Sequence, residues 1–208
     1  MSKDDLNLSI NTVRKFKLVF LGDQSVGKSS IIYKYVYDTF ESASNPTIGV
    51  DFVVKTLYYG ENTYKIHFWD TAGQERFKSL IPSYIKDCQV AVIVYDITNK
   101  MSFDNVDEWY NSIKNESLEN VKIGLLGNKV DCDGRKVSAE EGKSKAEKYG
   151  MSFYECSAKT GENLTLFFKQ ILEALVSESE SSEATAKNEG KKLNDASTKQ
   201  KPEKGCSC

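Results

Sequence analysis

The sequence predicts an α/β fold in which helices cover both faces of a mostly parallel sheet. Short apolar segments typical of buried strands alternate along the chain with segments whose apolar residues have helical spacing. This alternation is characteristic of parallel sheets. Hydrophobic residues make up 39% of the chain and lie mainly before residue 177, which is enough for one packed domain.

The predicted elements follow one another in a regular order. A strand over residues 15–22 leads through a glycine-containing loop into a helix over 28–37. Residues 50–59 and 63–69 are rich in β-branched and aromatic side chains, and Tyr59-Gly60-Glu61-Asn62 joins them, which predicts a hairpin. Short apolar strands are then expected at 89–95, 121–126 and 152–156.

Three further helices are predicted from apolar spacing and capping residues. Residues 102–115 carry apolar side chains at helical intervals, with Ser102 as the expected N-cap. Residues 138–141 have the form of a capping box, which starts a helix that ends near Gly150. Residues 164–176 form a last amphipathic helix.

Composition divides the chain into three parts. Residues 1–13 are polar and are expected to form a flexible arm, and residues 14–176 form the packed domain. Residues 177–208 hold only six hydrophobic residues, namely Ala184, Ala186, Leu193, Ala196, Cys206 and Cys208. These are too few to offset the entropy of ordering the chain, so we expect a disordered tail.

The same composition argues against several functional classes. The longest apolar run, residues 90–95, is far shorter than the roughly 20 residues of a membrane-spanning helix. A net charge of −2 gives no basic field for nucleic acid, and the N-terminus lacks the apolar core of a secretory signal. Cys88, Cys132 and Cys156 lack the spacing of a zinc site and are typical of a reducing compartment.

The strongest local motif is Gly22-Asp23-Gln24-Ser25-Val26-Gly27-Lys28-Ser29, which fits GxxxxGK[ST] between a strand and a helix. Glycines let such a loop wrap closely, so that backbone N–H groups and the helix N-terminus face phosphate oxygens. Lys28 is expected to neutralise the β- and γ-phosphates, and the Ser29 hydroxyl to ligate Mg²⁺. We assign this loop and Ser30 to nucleotide binding, with a chance glycine turn as the alternative.

Two later segments are predicted to sense the γ-phosphate and promote hydrolysis. Thr47 can give its hydroxyl to Mg²⁺ and its backbone N–H to the γ-phosphate, although a threonine after proline is also common in turns. Asp70 ends an apolar strand, where its carboxylate can hold the water shell of the metal or simply start a turn. Gly73 lets its N–H approach the γ-phosphate, and the Gln74 amide can orient an attacking water as the catalytic residue.

The segment Asn128-Lys129-Val130-Asp131 is predicted to read the base. Asp131 can accept hydrogen bonds from the N1–H and 2-amino groups of guanine, both of which adenine lacks. Lys129 can lie over the base plane, and Asn128 can tie the loops together. Backbone N–H groups for the base O6 are expected from Ser157, Ala158 and Lys159. Together with the phosphate motifs, this segment predicts GTP rather than ATP.

These motifs, in this order, resemble the Ras superfamily of small GTPases, which are P-loop NTPases, over residues 14–176. Strings similar to Rab family signatures are residues 48–52, 69–77 and 95–99. Strings similar to the Golgi Rab-six subgroup are residues 22–30 and 79–87. The resemblance implies a six-stranded sheet with one antiparallel strand, five helices, and nucleotide-sensing switches around residues 40–52 and 70–87.

The resemblance also assigns roles to aromatic residues. Phe40 aligns with the aromatic that packs on the guanine, although without the alignment it is better read as a core phenylalanine. Aromatic residues that align with the triad contacted by Rab effectors are Phe52, Trp69 and Tyr84. They are equally consistent with half-buried aromatics of the sheet.

Two positions depart from the pattern of Ras itself. Gln24 stands where Ras has glycine and would crowd an incoming arginine finger, which predicts slow intrinsic hydrolysis. Ser44 stands where Ras has a tyrosine near the nucleotide. Rab activators are thought to bring their own glutamine, which leaves the role of Gln74 open. His67, the only histidine, lies between apolar strand residues and is expected to face outward without a catalytic role.

The tail ends in Cys206-Ser207-Cys208, a Cys-X-Cys motif for which the Rab resemblance implies geranylgeranylation of both cysteines. Two lipids give the stable anchoring that one cannot. Residues 187–208 carry six lysines and three acids, a charge that suits an anionic leaflet or is merely solvated. An unmodified terminal thiol pair is the alternative.

The favoured hypothesis is a prenylated Rab-type GTPase that regulates vesicle traffic, including retrograde transport, on the cytoplasmic face of Golgi membranes while cycling with the cytosol. The resemblance implies GTP/GDP and Mg²⁺ as cofactors, and a monomeric domain that does not bind nucleic acid. The partners that it implies are effectors, an exchange factor, a GTPase-activating protein, a GDP-dissociation inhibitor and an escort protein. The alternatives are a GTP-binding module with negligible turnover and a P-loop phosphotransferase, for which no acceptor pocket is evident.

Overall fold

A computed structural model describes residues 13–41, 46–59, 62–73, 80–116 and 121–177. Several predicted features lie outside the described residues: the arm up to residue 12, the tail from residue 178, Ser44, Gln74, Cys206 and Cys208. The division of the chain into arm, domain and tail at residues 13 and 176 therefore stays a prediction.

The chain divides into two compact units, Met1–Phe168 and Lys169–Cys208. Of the second unit the structure describes residues 169–177, which are helical and hold an ion pair of 3.8 Å between Lys169 and Glu173. Throughout the described parts of the chain, no helix is both long enough and apolar enough to cross a membrane.

Within the described residues, six strands form one sheet: β1 (Val13–Leu21), β2 (Val50–Tyr59), β3 (Asn62–Thr71), β4 (Val90–Asp96), β5 (Lys122–Asn128) and β6 (Ser152–Cys156). Their order across the sheet is β2-β3-β1-β4-β5-β6. β2 pairs antiparallel with β3, and all other neighbours are parallel. The predicted sheet and its hairpin are therefore confirmed. β1 begins at Val13, the residue that was assigned to the end of the arm.

The helices are α1 (Lys28–Tyr37), α2 (Ile81–Ile85), α3 (Lys100–Asp104), α4 (Val106–Glu116), α5 (Ala139–Tyr149) and α6 (residues 164–177). α3 and α4 are two parts of one helical path interrupted at Asn105, because the Asn105 carbonyl still accepts the Trp109 N–H at 3.2 Å. Counted in this way, the described part of the chain has the five predicted helices.

The prediction that Ser102 is the N-cap of its helix is wrong. The helix begins at Lys100, and the Asn99 side-chain oxygen accepts the N–H of Met101 at 3.1 Å. Ser102 lies inside the helix, where its hydroxyl donates to the Asn99 carbonyl at 2.8 Å. Asn and Ser are comparable N-caps, so local preference alone does not distinguish the two starting points.

Two apolar layers enclose the sheet. On one face, Val19 and Ile93 belong to a buried cluster that includes Trp109 of α4 and Ala146 of α5. On the other face, three phenylalanine rings lie with centroids 5.6 to 6.2 Å apart, namely Phe20, Phe68 and Phe168. β1 and β3 to β6 are parallel, so their carboxyl ends meet at one edge, where the predicted nucleotide motifs all begin.

Gly142, in the middle of α5, tests the packing of this helix on the sheet. Alanine is favoured over glycine in helices by about 1 kcal/mol, yet a Cβ here would lie 2.5 Å from the Phe153 ring and 2.6 Å from the Tyr95 hydroxyl. We expect Gly142→Ala to lower the free energy of unfolding by about 1–3 kcal/mol in urea titrations. Ser144→Ala, at an exposed position of the same helix, is the control and should not destabilise. Equal effects of the two substitutions would contradict this packing.

Candidate functional site

The loop of residues 22–29 connects β1 to α1 and rests against the edge of the sheet. A Cβ on Gly22 would lie 2.2 Å from the Val94 carbonyl oxygen, and a Cβ on Gly27 would lie 2.3 Å from Asn128 Nδ2. Both glycines also have positive φ, 138° and 98°. Only glycine fits the space and the backbone conformation at these two positions. The loop is therefore held against the ends of β4 and β5.

Lys28 places a buried cation behind this loop. Its side chain is buried, and Nζ donates to the carbonyls of Gly22 at 2.9 Å and Asp23 at 2.8 Å. Burial lowers the pKa of Lys28 to about 8, whereas the charges of Asp70 and Asp23 oppose this shift. Within the described residues no carboxylate pairs directly with Nζ, so an anion entering here would stabilise the charged ammonium.

Three side-chain oxygens from three different segments meet beside Lys28. The Ser29 hydroxyl donates to Asp70 Oδ2 at 2.5 Å, and the Thr47 hydroxyl donates to the same oxygen at 3.0 Å. The two hydroxyl oxygens are 2.8 Å apart. Burial raises the pKa of Asp70, and its Oδ1 is buried without a hydrogen-bond partner among the described residues. Hard oxygen donors with one underused carboxylate fit Mg²⁺.

Gly73 brings the segment after β3 onto the phosphate loop. A Cβ at Gly73 would lie 2.3 Å from the Asp23 carbonyl carbon and 2.4 Å from the Gln24 nitrogen. The next residue back, Ala72, donates its N–H to the Gly49 carbonyl at 2.9 Å. The two segments predicted to sense the γ-phosphate are therefore joined to each other and to the loop. Gln74 follows directly but is outside the described residues, so its catalytic role stays a prediction.

Asn128, at the end of β5, ties three loops together as predicted. It is buried, and its Nδ2 donates to the Val26 carbonyl at 2.8 Å. Its Oδ1 accepts the N–H of Ala158 at 3.0 Å. The phosphate loop, the segment after β5 and the segment after β6 therefore share one amide.

Asp131 lies exposed at the mouth of the site, where its carboxylate is oriented by Ser157. The Ser157 hydroxyl donates to Asp131 Oδ1 at 2.6 Å, and this hydrogen bond holds the pKa of Asp131 below its ordinary value. The carboxylate is therefore ionised at neutral pH and accepts hydrogen bonds only. The N–H groups of Ala158 and Lys159 already have partners, Asn128 Oδ1 and the Ser157 hydroxyl, so a base O6 must share them.

Asp96 is a site residue that the sequence analysis missed. Its Oδ2 forms an ion pair of 2.7 Å with Lys129 Nζ. Its Oδ1 accepts both the N–H and the hydroxyl of Thr98, at 2.8 and 2.7 Å. Lys129 also has a positive φ of 74°, so the ion pair stabilises a side chain on a strained backbone. The signal in the sequence that could have identified Asp96 is an acidic residue at the end of a buried strand.

One cavity of about 500 Å³ joins these parts. Predicted residues that line it are Gln24, Ser25, Gly27, Lys28, Ser29, Ser30, Phe40, Thr47, Gly73, Asn128, Lys129, Asp131, Ala158 and Lys159. Predicted residues that contact this lining without facing the cavity are Gly22, Asp23, Val26, Asp70 and Ser157. Lining residues that the sequence analysis missed are Glu41, Pro46 and Cys132. The phosphate, metal and base motifs therefore form a single site.

The family of the chain follows from comparison with known proteins. Residues 17–177 match the model of the Ras family. The protein is a small GTPase of the Ras family. The match covers every residue that lines the cavity.

Membership of the Ras family gives the site its ligands. Ras-family proteins bind GTP and GDP with Mg²⁺ and act as GTPase switches that bind effectors, exchange factors and activating proteins. In this member, Ser29, Thr47 and Asp70 are the residues that would hold the metal, and the metal would supply positive charge there. Family membership favours the switch over the phosphotransferase that the sequence left open.

The three aromatic residues Phe52, Trp69 and Tyr84 form one contiguous group in this GTPase. The Phe52 and Trp69 rings are 5.5 Å apart edge to face, and the Trp69 and Tyr84 rings are 6.0 Å apart. Phe52 is 47% exposed. His67 of β3 lies beside Phe52 and is partly exposed. Burial lowers the pKa of His67, and the charges of Lys15 and Lys65 lower it further. His67 does not line the cavity.

Asp131→Asn tests the base-reading role of this carboxylate. The amide replaces an acceptor-only group with one that also donates, so we expect guanine-nucleotide affinity to fall about a hundredfold and preference to shift towards xanthine nucleotides. Competition binding with GDP and xanthosine diphosphate measures both effects. Asp133→Asn, an exposed carboxylate two residues away, should leave the preference unchanged. Unchanged guanine selectivity in Asp131→Asn would refute the role.

Proposed function

We propose that this Ras-family GTPase is of the Rab type and recruits effectors to Golgi and vesicle membranes in its GTP state, with retrograde transport as its process. The observation that carries the proposal is the aromatic group Phe52, Trp69 and Tyr84. Phe52 is exposed, and the other two rings are partly exposed. The group combines residues of β2, β3 and α2. In the chain, the segment that contains Thr47 leads into β2, and the segment that contains Gly73 follows β3. A protein that binds this group therefore contacts segments whose positions depend on the nucleotide.

Lys17 connects the aromatic group to the end of α2. The Lys17 ammonium lies 4.4 Å from the centroid of the Trp69 ring and donates to the Lys86 carbonyl at 2.8 Å. This cation links the ring to the segment that ends α2. Ile48, 80% exposed in the loop before β2, adds apolar surface for a partner.

The switch depends on contacts that bring the two loops together at the cavity. Thr47 and Gly73 both line it, and the Gly49 carbonyl accepts the Ala72 N–H. A terminal phosphate beside Lys28 favours the conformation in which both loops close over the site, and its loss removes that preference. Effector binding to the closed form then follows the nucleotide.

Slow intrinsic hydrolysis is part of the proposal. Gln24 lines the cavity with an exposed side chain, where it restricts the entry of a catalytic group from an activating protein. Gln74 orients the attacking water, alone or with a glutamine from the activator. A GTP-binding module with negligible turnover is the competing function, and Gln24 is the observation that favours it.

Nucleotide content and single-turnover hydrolysis, measured with GTP and ATP in parallel, test the proposed activity. We expect bound guanine nucleotide and slow Mg²⁺-dependent phosphate release from GTP alone, without a phosphorylated acceptor. Ser29→Asn should weaken Mg²⁺ binding and favour the GDP-bound or nucleotide-free state, because it replaces one of the three converging oxygens. If phosphate is released from GTP no faster with the protein than without it, the result would favour the GTP-binding module with negligible turnover.

Membrane attachment through Cys206 and Cys208 completes the proposal, with a GDP-dissociation inhibitor and an escort protein as the additional partners. Two geranylgeranyl groups would provide stable anchoring, and the lysines of residues 187–208 would favour an anionic leaflet. The localisation is therefore the cytoplasmic face of Golgi and vesicle membranes, with exchange through the cytosol.

Replacing both terminal cysteines by serine should leave the protein in the cytosolic fraction of cells, because no lipid can then be attached. Cell fractionation and mass spectrometry of the tail measure the two effects. Ser207→Ala is the matched control, since it changes the residue between the two cysteines and leaves both thiols in place. It should leave membrane recovery unchanged. Membrane recovery of the Cys206→Ser/Cys208→Ser protein would show that another anchor exists.

A further inference from the structure

The side chain of Asp23 makes its hydrogen bonds outside the nucleotide cavity. This residue lies in the phosphate loop, yet its side chain does not line the cavity. Its Oδ2 accepts a hydrogen bond from Asn105 Nδ2 at 2.7 Å, and its Oδ1 accepts one from Trp109 Nε1 at 2.9 Å. Both carboxylate oxygens are therefore directed at the interrupted helix rather than at the ligand.

The two donors are held in place by the helix. Asn105 stands at the interruption between α3 and α4, and its carbonyl accepts the backbone N–H of Trp109 at 3.2 Å. Trp109 is 2% exposed, so its indole N–H needs a partner within the protein. Asp23 provides that partner, and hydrogen bonds to a charged acceptor are the stronger kind. Loop and helix are thus connected by two charge-assisted bonds.

The backbone of the same residue contacts the catalytic end of the site. The Asp23 carbonyl accepts the Lys28 ammonium at 2.8 Å. Its peptide with Gln24 lies directly under Gly73, where a Cβ would approach to 2.4 Å. A displacement of Asp23 therefore moves both the phosphate-binding cation and the support of Gly73.

Trp109 continues the connection to the aromatic surface. Its ring belongs to the buried cluster that contains Ile81 and Ile85 of α2. Tyr84 of that short helix packs against the same cluster, and its ring lies 6.0 Å from the ring of Trp69. Packed side chains thus extend without a break from Asp23 to the proposed effector surface.

We propose that Asp23 is a positioning residue that makes the phosphate loop and the α4–α2 layer move together, so that the nucleotide state reaches the aromatic surface through the core as well as through the two loops. This inference rests on the proposed GTP/GDP cycle. The hydrogen bonds of Asp23 hold the loop in the conformation that presents Lys28 and supports Gly73. Breaking these hydrogen bonds speeds the release of the nucleotide. It also makes the aromatic surface independent of the nucleotide state.

Nucleotide release tests the positioning role. Asp23→Asn keeps the shape of the side chain but places an NH₂ group opposite one of the two donors, Asn105 Nδ2 or Trp109 Nε1. One hydrogen bond is then lost, so we expect GDP to dissociate about tenfold faster. Asn105→Ala removes one bond without changing the loop and should give a smaller acceleration. In a double-mutant cycle, Asn105→Ala should add little to Asp23→Asn, because both remove the same connection. Fully additive effects would overturn the inference.

The two tryptophans of the chain allow a direct optical test. In a Trp69→Phe background, Trp109 is the single tryptophan, and its indole N–H lies on the connection itself. We expect its emission to change when GDP is replaced by a non-hydrolysable GTP analogue, and we expect Asp23→Asn to abolish this difference. A Trp109 spectrum that is identical in both nucleotide states would overturn the inference.

Ile113→Val is the matched control for a general loss of core packing. Ile113 is fully buried one turn further along α4 and belongs to the same cluster. This substitution should lower thermal stability but leave GDP dissociation and the Trp109 response at wild-type values. If the wild-type protein retains no guanine nucleotide, the proposed function fails, and the inference with it. If it retains nucleotide and Asp23→Asn releases GDP at the wild-type rate, the inference alone fails.

Discussion

The close approach of the phosphate loop to the edge of the sheet is the constraint on which the site depends. Gly22 leaves no room between the loop and the Val94 carbonyl, and Gly27 leaves none between the loop and the Asn128 amide. These contacts place the start of α1, and with it Lys28 and Ser29, at a set distance from the ends of β3, β4 and β5. Any side chain at either glycine would push the loop away from the residues it must meet.

Charges around this edge are arranged so that the ligand completes them. Lys28 is buried against carbonyl oxygens, and Asp70 is buried against two hydroxyls. Asp96, by contrast, neutralises Lys129 directly, and Asp23 is satisfied by neutral N–H donors. Among the described residues, Lys28 and Asp70, which are predicted to meet phosphate and metal, have no directly paired opposite charge, whereas Asp96 and Asp23 are satisfied by groups of the protein.

Most of the fold, and the grouping of the predicted site residues around one cavity, were predictable because each part is encoded by a local pattern. Apolar runs identified the strands, and the capping residues at Ser138 identified the start of α5. The errors occurred where two local signals compete or where a contact is distant in sequence. Asn99 and Ser102 are both good caps. Asp96 and Lys129 lie on different strand ends, so their ion pair depends on β4 and β5 being neighbours.

The sequence by itself predicted the chemistry of the site, because recognition of phosphate, metal and base requires particular residues at short and regular spacing. It could not specify which side chains support those residues. The hydrogen bonds from Asn105 and Trp109 to Asp23 join positions 82 and 86 residues apart. Such contacts carry no periodic signal, and they exist only because the parallel sheet and its crossover helices bring these distant segments to one edge.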